Sequence, residues 1–126
     1  MNRQEFYING GWVKPHGTRS NDMINPATEA VVGRTIFGDQ YDVNAAVAAA
    51  KAAFPAFARS TVVERRELLE AILAQLITRN DEIADAISAE MGAPITLARS
   101  AQAPSGPQHF EEMLRVLECF EFEEIL

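Results

Sequence analysis

Few side chains in this sequence could do chemistry. They are Cys119, His16, His109, Ser100, Ser105 and a scatter of carboxylates. Gly33-Arg34-Thr35-Ile36-Phe37-Gly38 has the glycine spacing that opens a phosphate loop. Asp39-Gln40 then follows where Lys and Ser/Thr are required, and an acid there repels phosphate. No Gly-x-Gly-x-x-Gly occurs. The two histidines are far apart in sequence and neither is near the cysteine, so no transition-metal site is expected. His109 is expected to cap or flank the last helix. Cys119 has Glu118 and Glu121 as neighbours and sits near a helix C-terminus, and both features disfavour a thiolate. Ser100 and Ser105 have no candidate base in a recognisable motif, and the carboxylates fall on exposed helix faces. No catalytic residue and no coenzyme-binding residue is therefore assigned.

Composition sets the remaining bounds. The 126 residues suit one domain with a core covering roughly two thirds of the surface that the unfolded chain exposes. Apolar content of 48% and charged content of 23% are globular values. A formal charge of -7 argues against nucleic acid or an anionic membrane as partner, since both need clustered Lys and Arg. Glu111, Glu112, Glu118, Glu121, Glu123 and Glu124 read as a solvated helix face followed by an acidic end. A single cysteine allows no intrachain disulfide and fits a reducing compartment. No apolar run has the length of a signal peptide or a membrane span, so the cytoplasm is the expected location.

The elements are legible from pattern. Phe6-Tyr7-Ile8 and Trp12-Val13 flank Asn9-Gly10-Gly11, a hairpin signal because the central positions accept positive φ. Met23-Ile24 is a short extended piece, Asn25-Pro26-Ala27-Thr28 a turn, and residues 31–37 a strand. Asp39 with Asp42 caps a helix in which Val43, Val47, Ala50, Phe54 and Phe57 recur at helical spacing, and Pro55 should end or kink it near Phe54. Thr61-Val62-Val63-Glu64 is a capping box opening a helix with a broad stripe of Leu68, Leu69, Ile72, Leu73, Leu76 and Ile77. Asn80-Asp81-Glu82 supplies a new cap, and Ile83, Ile87 and Met91 lead to a stop at Gly92. Pro94 opens a short helix. Pro104-Ser105-Gly106-Pro107 reads as a break, and a last helix runs from Gln108 with Phe110, Met113, Leu114, Leu117 and Phe120 at helical spacing. The fold class predicted is mainly α-helical with short N-terminal β-hairpins, residues 1–38 carrying hairpins and loops and residues 39–126 the helices.

Several segments in register carry a family resemblance. Phe6-Tyr7-Ile8-Asn9-Gly10-Gly11-Trp12-Val13, then Asn25-Pro26-Ala27-Thr28-Glu29-Ala30-Val31-Val32-Gly33, then residues 42–54 with their alanine-rich run ending in Phe54, resemble the opening of an NAD(P)-dependent aldehyde dehydrogenase. Glu64-Arg65 before Leu68-Leu69, and Glu90-Met91-Gly92-Ala93-Pro94, continue it, with Ala93 where many members carry Lys. The likeness reaches to about Glu121.

The resemblance implies an α/β parent fold with a Rossmann-like coenzyme domain, a catalytic domain and an oligomerisation arm. Residues 1–126 would be a single N-terminal segment of the coenzyme-binding domain. The family oxidises aldehydes to carboxylic acids: a thiolate attacks the carbonyl, hydride passes to nicotinamide, and a carboxylate-activated water releases the acid. The family's nucleophilic Cys, general-base Glu and coenzyme contacts lie downstream of the matched segment, and Cys119 does not fill that role. NAD or NADP is the parent family's coenzyme, and none is expected on this chain. Some members hold a structural monovalent cation on backbone carbonyls before the Asn-Pro turn and an acid before the Gly-x-Pro element. The matching positions here are Met23, Ile24 and Glu90. The expected partners are the remainder of an aldehyde dehydrogenase or a second copy of the chain. The alternative is a non-catalytic binding or regulatory module that docks on full-length subunits.

Overall fold

The computed structural model describes residues 4–122. Glu123 and Glu124 of the acidic end lie outside the described residues. The chain divides into two compact units. One takes the chain to Arg59 together with Glu90–Gly92; the other takes Ser60–Ala89 and the chain from Ala93 on.

The first unit opens with two antiparallel hairpins. β1 (Phe6–Ile8) pairs with β2 (Gly11–Val13), Tyr7 facing Trp12. Asn9 at φ 53° and Gly10 at φ 78° make the tight turn that an Asn-Gly pair favours. Tyr7 and Trp12 meet edge to face with ring centroids 5.2 Å apart. β3 (Ser20–Ile24) pairs with β4 (Val31–Ile36), and the register slips between Met23 and Ile24, a β-bulge. The Asn25 side chain closes the turn between them, its Oδ1 accepting from Ala27 N at 2.8 Å and Thr28 N at 3.1 Å. Those bonds satisfy a polar side chain that is 8% exposed.

α1 (Gln40–Phe57) starts at the Asp39 cap, and both halves of the capping box with Asp42 are formed. α1 runs through Pro55 and ends at Phe57, three residues beyond Phe54. The proline stands in the last turn, where its missing donor removes a single bond, and Ala58 N closes the turn on Phe54 O at 2.8 Å.

In the second unit, α2 (Val62–Thr78) begins with the reciprocal Thr61 and Glu64 bonds. α3 (Asn80–Met91) follows after one residue. Asn80 is its first helical residue and not its cap; Arg79 O accepts from Ile83 N at 3.0 Å. The proposed break at Pro104-Ser105-Gly106-Pro107 is absent. α4 (Ile95–Leu97) runs into a π-turn at Ala98–Gln102 and then α5 (Ala103–Cys119), which contains all four residues. Pro104 falls in the first turn of α5, where a missing N–H costs little. The widened turn before it, with Ala103 N donating to Ala98 O, gives room for ring and carbonyl. Ser105 Oγ donates to Gln102 O at 2.7 Å.

α2 and α5 pack together. Leu69, Leu73 and Leu76 on one helix and Phe110, Leu114 and Leu117 on the other are half-buried, each set at i, i+4, i+7 spacing. Arg66 ties α2 to Glu118 of α5 at 3.2 Å. Leu68 and Ile72 on one edge of the same stripe, and Ile77 on the other, stay exposed. The buried core of this unit is Ala84, Ala98 and Ala103 with Ile83 and Ile87 against it.

Among the described residues the expected large core is not present. No large side chain is fully buried among the described residues, and the chain exposes 9588 Å². No helix among the described residues is long and apolar enough to cross a membrane.

Candidate functional site

The densest polar site of the first unit joins the loop before β3 to the start of α1. Asp42, 7% exposed, accepts three backbone N–H bonds: from His16 at 2.8 Å, Gly17 at 3.0 Å and Asp39 at 2.9 Å. Asp39 accepts from Tyr41 N at 2.9 Å and Asp42 N at 3.2 Å. His16 Nδ1–H donates to Asp39 Oδ2 at 2.6 Å, and the His16 ring lies 4.9 Å from that of Tyr41. A capping box thus gains a second task, because the Asp42 carboxylate has acceptor capacity left after serving Asp39 and spends it on a loop twenty-five residues upstream.

The electrostatics follow from these bonds. The His16 hydrogen bond first, then the backbone donors, hold Asp39 below the usual carboxylate range. The backbone N–H groups of His16 and Asp39 do the same to Asp42. His16 is raised, first by its hydrogen bond to Asp39 and then by the charge of that carboxylate. Lowered carboxylates stabilise above their unfolded pKa, and that stabilisation goes as pH falls through the folded values. A raised histidine stabilises below its unfolded pKa, and its share goes as pH rises through the folded value. The clamp is therefore strongest between about pH 4.5 and 6.5. Fluorescence of Trp12, the sole tryptophan, should report the highest unfolding midpoint of this unit in that window. His16→Gln should remove the alkaline decline and leave the acid one; an alkaline decline unchanged in that variant would contradict the assignment.

The site cannot cradle a dinucleotide phosphate. The N-terminal donors of α1 are taken by Asp39 and Asp42, whose charges would repel a phosphate at the position that otherwise favours one. Gly33 is a β4 residue opposite Met23, not part of a turn into a helix. α2 and α3 also begin with acids, Glu64 and then Asp81 and Glu82. The acids at the N-termini of these three helices do not fit a coenzyme's phosphates.

The other chemistry-bearing residues are dispersed. His109 lies inside α5, exposed, and not at a helix end as expected, because α5 starts six residues before it. Cys119 is the last residue of α5 and exposed, its thiol directed to the Val116 carbonyl at 3.5 Å. Among the described residues no group of three or more His, Cys, Asp or Glu is placed to hold a metal ion.

Met23 and Ile24 flank the β-bulge, and Glu90 is exposed at the end of α3. Gly92, at φ 67°, lies so close to the Asn25 turn that a Cβ there would be 2.8 Å from Ala27 N. The bulged strand, the Asn25 turn and the residue 90–92 segment thus come together in one unit. Sequence reasoning assigned caps to Asp39 and Asp42 and no role to His16 or Gly17. The sole cue was Gly17 itself, which leaves room for backbone approach.

Two short antiparallel hairpins, amphipathic helices and a polar centre that accepts backbone donors are the features that the described residues present. The chain belongs to the aldehyde dehydrogenase family, whose model matches residues 12–125. It is 45% identical over 124 residues to a 3-succinoylsemialdehyde-pyridine dehydrogenase of a Pseudomonas species, a match that takes 98% of this chain and 26% of that protein. It is similar to the crystal structure of an aldehyde dehydrogenase from Bartonella henselae, with a TM-score of 0.96 and 35% identity over 100% of this chain and 26% of the other. Aldehyde dehydrogenase C of Pseudomonas syringae, solved with NAD+ and octanal, gives a TM-score of 0.94 and 38% identity over 98% of this chain and 26% of that one. The chain spans about a quarter of the length of these relatives and corresponds to an N-terminal portion of the family.

Proposed function

We propose that residues 1–126 form a single N-terminal segment of the coenzyme-binding domain of an NAD(P)-dependent enzyme that oxidises aldehydes to carboxylic acids in the cytoplasm. In the whole enzyme NAD or NADP accepts the hydride. This segment supplies surface and scaffold, and no residue of it touches coenzyme or aldehyde. The observation that carries the reading is the set of uncovered apolar side chains on α1 and α2 in a chain matched to the family almost throughout. Amphipathic helices of this kind are made to be covered, and the occupant proposed is the remainder of an aldehyde dehydrogenase, with self-association when the chain stands alone. Incubated with aldehyde and either coenzyme, the purified chain should give no absorbance of reduced nicotinamide and no calorimetric binding, while a dye specific for apolar surface brightens on it. Coenzyme-dependent oxidation, or a chain that binds no dye, would overturn this.

The Met23, Ile24 and Glu90 positions are proposed as a monovalent-cation site. Support comes from the bulge, which disrupts the ladder at Met23 and Ile24, and from the closeness of Gly92 to the Asn25 turn. Replacing potassium or sodium by choline at equal ionic strength should lower the Trp12-detected midpoint, and Glu90→Gln should abolish the difference. Equal midpoints in all three salts would remove the site.

A further inference from the structure

Asn9 is the single asparagine of the sequence that a glycine follows, and with Gly10 it makes the turn between β1 and β2. We propose that Asn9 is a site of spontaneous deamidation, held back by the closed hairpin and released when β1 and β2 part at the turn. The co-reactant is water. The Gly10 amide nitrogen, giving its proton to solvent base, attacks Asn9 Cγ; the bond from Cγ to Nδ2 breaks, and ammonia leaves. Water then opens the resulting succinimide ring at either carbonyl. One opening gives aspartate, and the other gives isoaspartate, in which the main chain runs through Cγ. The net change is ammonia lost and water gained, with one new carboxylate.

Three observations carry the assignment. First, the attack is unobstructed. Asn9 and Gly10 are exposed, and nothing lies within 4 Å of where a Cβ on Gly10 would stand, so its nitrogen has no side chain beside it. Second, each of the other described asparagines lacks a requirement. Asn25 precedes Pro26, which has no N–H to attack with. Asn21 Nδ2 donates to Asp22 O at 3.0 Å within β3, and Asn44 Oδ1 accepts from Gln40 at 2.9 Å within α1. Asn80 lies in α3 and precedes Asp81, whose side chain stands beside the nitrogen. Third, the closed turn opposes the ring. Closure needs Asn9 Cβ and Gly10 N on the same side of the Asn9 Cα–C bond, whereas Asn9 at φ 53° lies in the left-handed region. There ψ of roughly +30 to +60° sets the two atoms nearly opposite.

Reaction therefore waits on opening. The hairpin has three residue pairs, with the Tyr7 and Trp12 rings in contact across the middle one, and a two-stranded ribbon of that size is marginal by itself. Phe6 at the far end packs beside Gly38, so opening starts at the turn. Isoaspartate adds a backbone carbon to a two-residue turn, and Tyr7 and Trp12 cannot then return to their register.

The chain held at mildly alkaline pH, with its asparagine peptides followed by mass spectrometry, tests the proposal. Asn9 should convert ahead of every other asparagine, and more slowly in the native chain than in the same chain in denaturing urea. Tyr7→Ala removes the ring contact at an exposed position and should quicken native conversion about twofold to tenfold, the effect of losing one aromatic pair, while leaving the rate in urea unchanged. The converted chain should keep its helical circular dichroism and show altered Trp12 emission. Another asparagine converting first overturns the site. Equal rates in the native chain and in urea overturn the hold by the hairpin. A native rate that Tyr7→Ala leaves unchanged, or no native conversion in either chain while the urea samples convert fully, overturns release by opening.

Discussion

Gly17→Ala should lower the stability of the first unit by about 2–4 kcal/mol, read as a fall in the Trp12-detected urea midpoint. A Cβ at residue 17 would stand 2.2 Å from Phe37 O, 3.1 Å from Asp39 N and 3.2 Å from Gly38 C. All three are backbone atoms, so no side-chain rotation relieves the clash. The loop has to retreat from the junction of β4 and α1, and the bonds crossing that junction go with it. Gly17 N to Asp42 at 3.0 Å and Phe37 N to Arg19 O at 2.8 Å are the most exposed to this movement. Asp42 would then keep a buried charge with fewer donors, which costs more than the bonds themselves contribute. Gly11→Ala is the control, since nothing lies within 4 Å of a Cβ there and its φ is not positive. Equal midpoints for Gly17→Ala and Gly11→Ala would show that the loop yields freely and that the clamp is not tight.

What was legible in the chain was whatever is local. The Asn9-Gly10 turn, the Asp39 and Asp42 box, the Thr61 and Glu64 box and the stop at Gly92 each depend on residues within four positions of one another. Physical rules for turns and caps operate at that range. The clamp from His16 and Gly17 to Asp39 and Asp42 was not legible, because its partners are twenty-three to twenty-six residues apart and only the fold decides that they meet. Proline was over-read. At Pro104 its place in the first turn of α5 removed most of its penalty, and at Pro55 only the last turn of α1 remained to be disturbed. Pro107 stands inside α5, which continues through it to Cys119.

The apolar stripes were read as helical, and the helices form where the spacing placed them. Spacing tells which face of a helix is apolar, yet it cannot tell what covers that face. On α2 the row Leu69, Leu73 and Leu76 is half-buried where the helix packs on α5, while Leu68, Ile72 and Ile77 on the edges of the same stripe are exposed. The same gap in the information explains the candidate site. Met23, Ile24 and Glu90 came from family likeness, since carbonyl ligands leave no mark in side-chain chemistry. The bulge at Met23 and Ile24, a backbone feature, emerged only with the strands paired.

Gly92→Ala should cost about 2–3 kcal/mol, from two causes that a second substitution separates. The first is conformational: Gly92 adopts φ 67°, the left-handed region where a Cβ crowds the neighbouring carbonyl. The second is contact: its Cβ would stand 2.8 Å from Ala27 N, 2.9 Å from Ala27 Cβ and 3.1 Å from Asn25 Oδ1. Asn25 Oδ1 already accepts from Ala27 N and Thr28 N, so displacement at residue 92 reaches the bonds that close the turn. Ala27→Gly removes the 2.9 Å contact without altering φ at residue 92. In the double-mutant cycle it should recover part of the loss and no more, the remainder being the backbone cost and the contact to Ala27 N. Recovery of the whole loss would mean that φ at residue 92 relaxes freely. No recovery would mean that contact with Ala27 Cβ contributes nothing to the cost. Because the same approach brings residues 90–92 to the Asn25 turn, Gly92→Ala should also reduce any difference between potassium and choline. A cation effect that survives the substitution undiminished would separate the ion from this part of the fold.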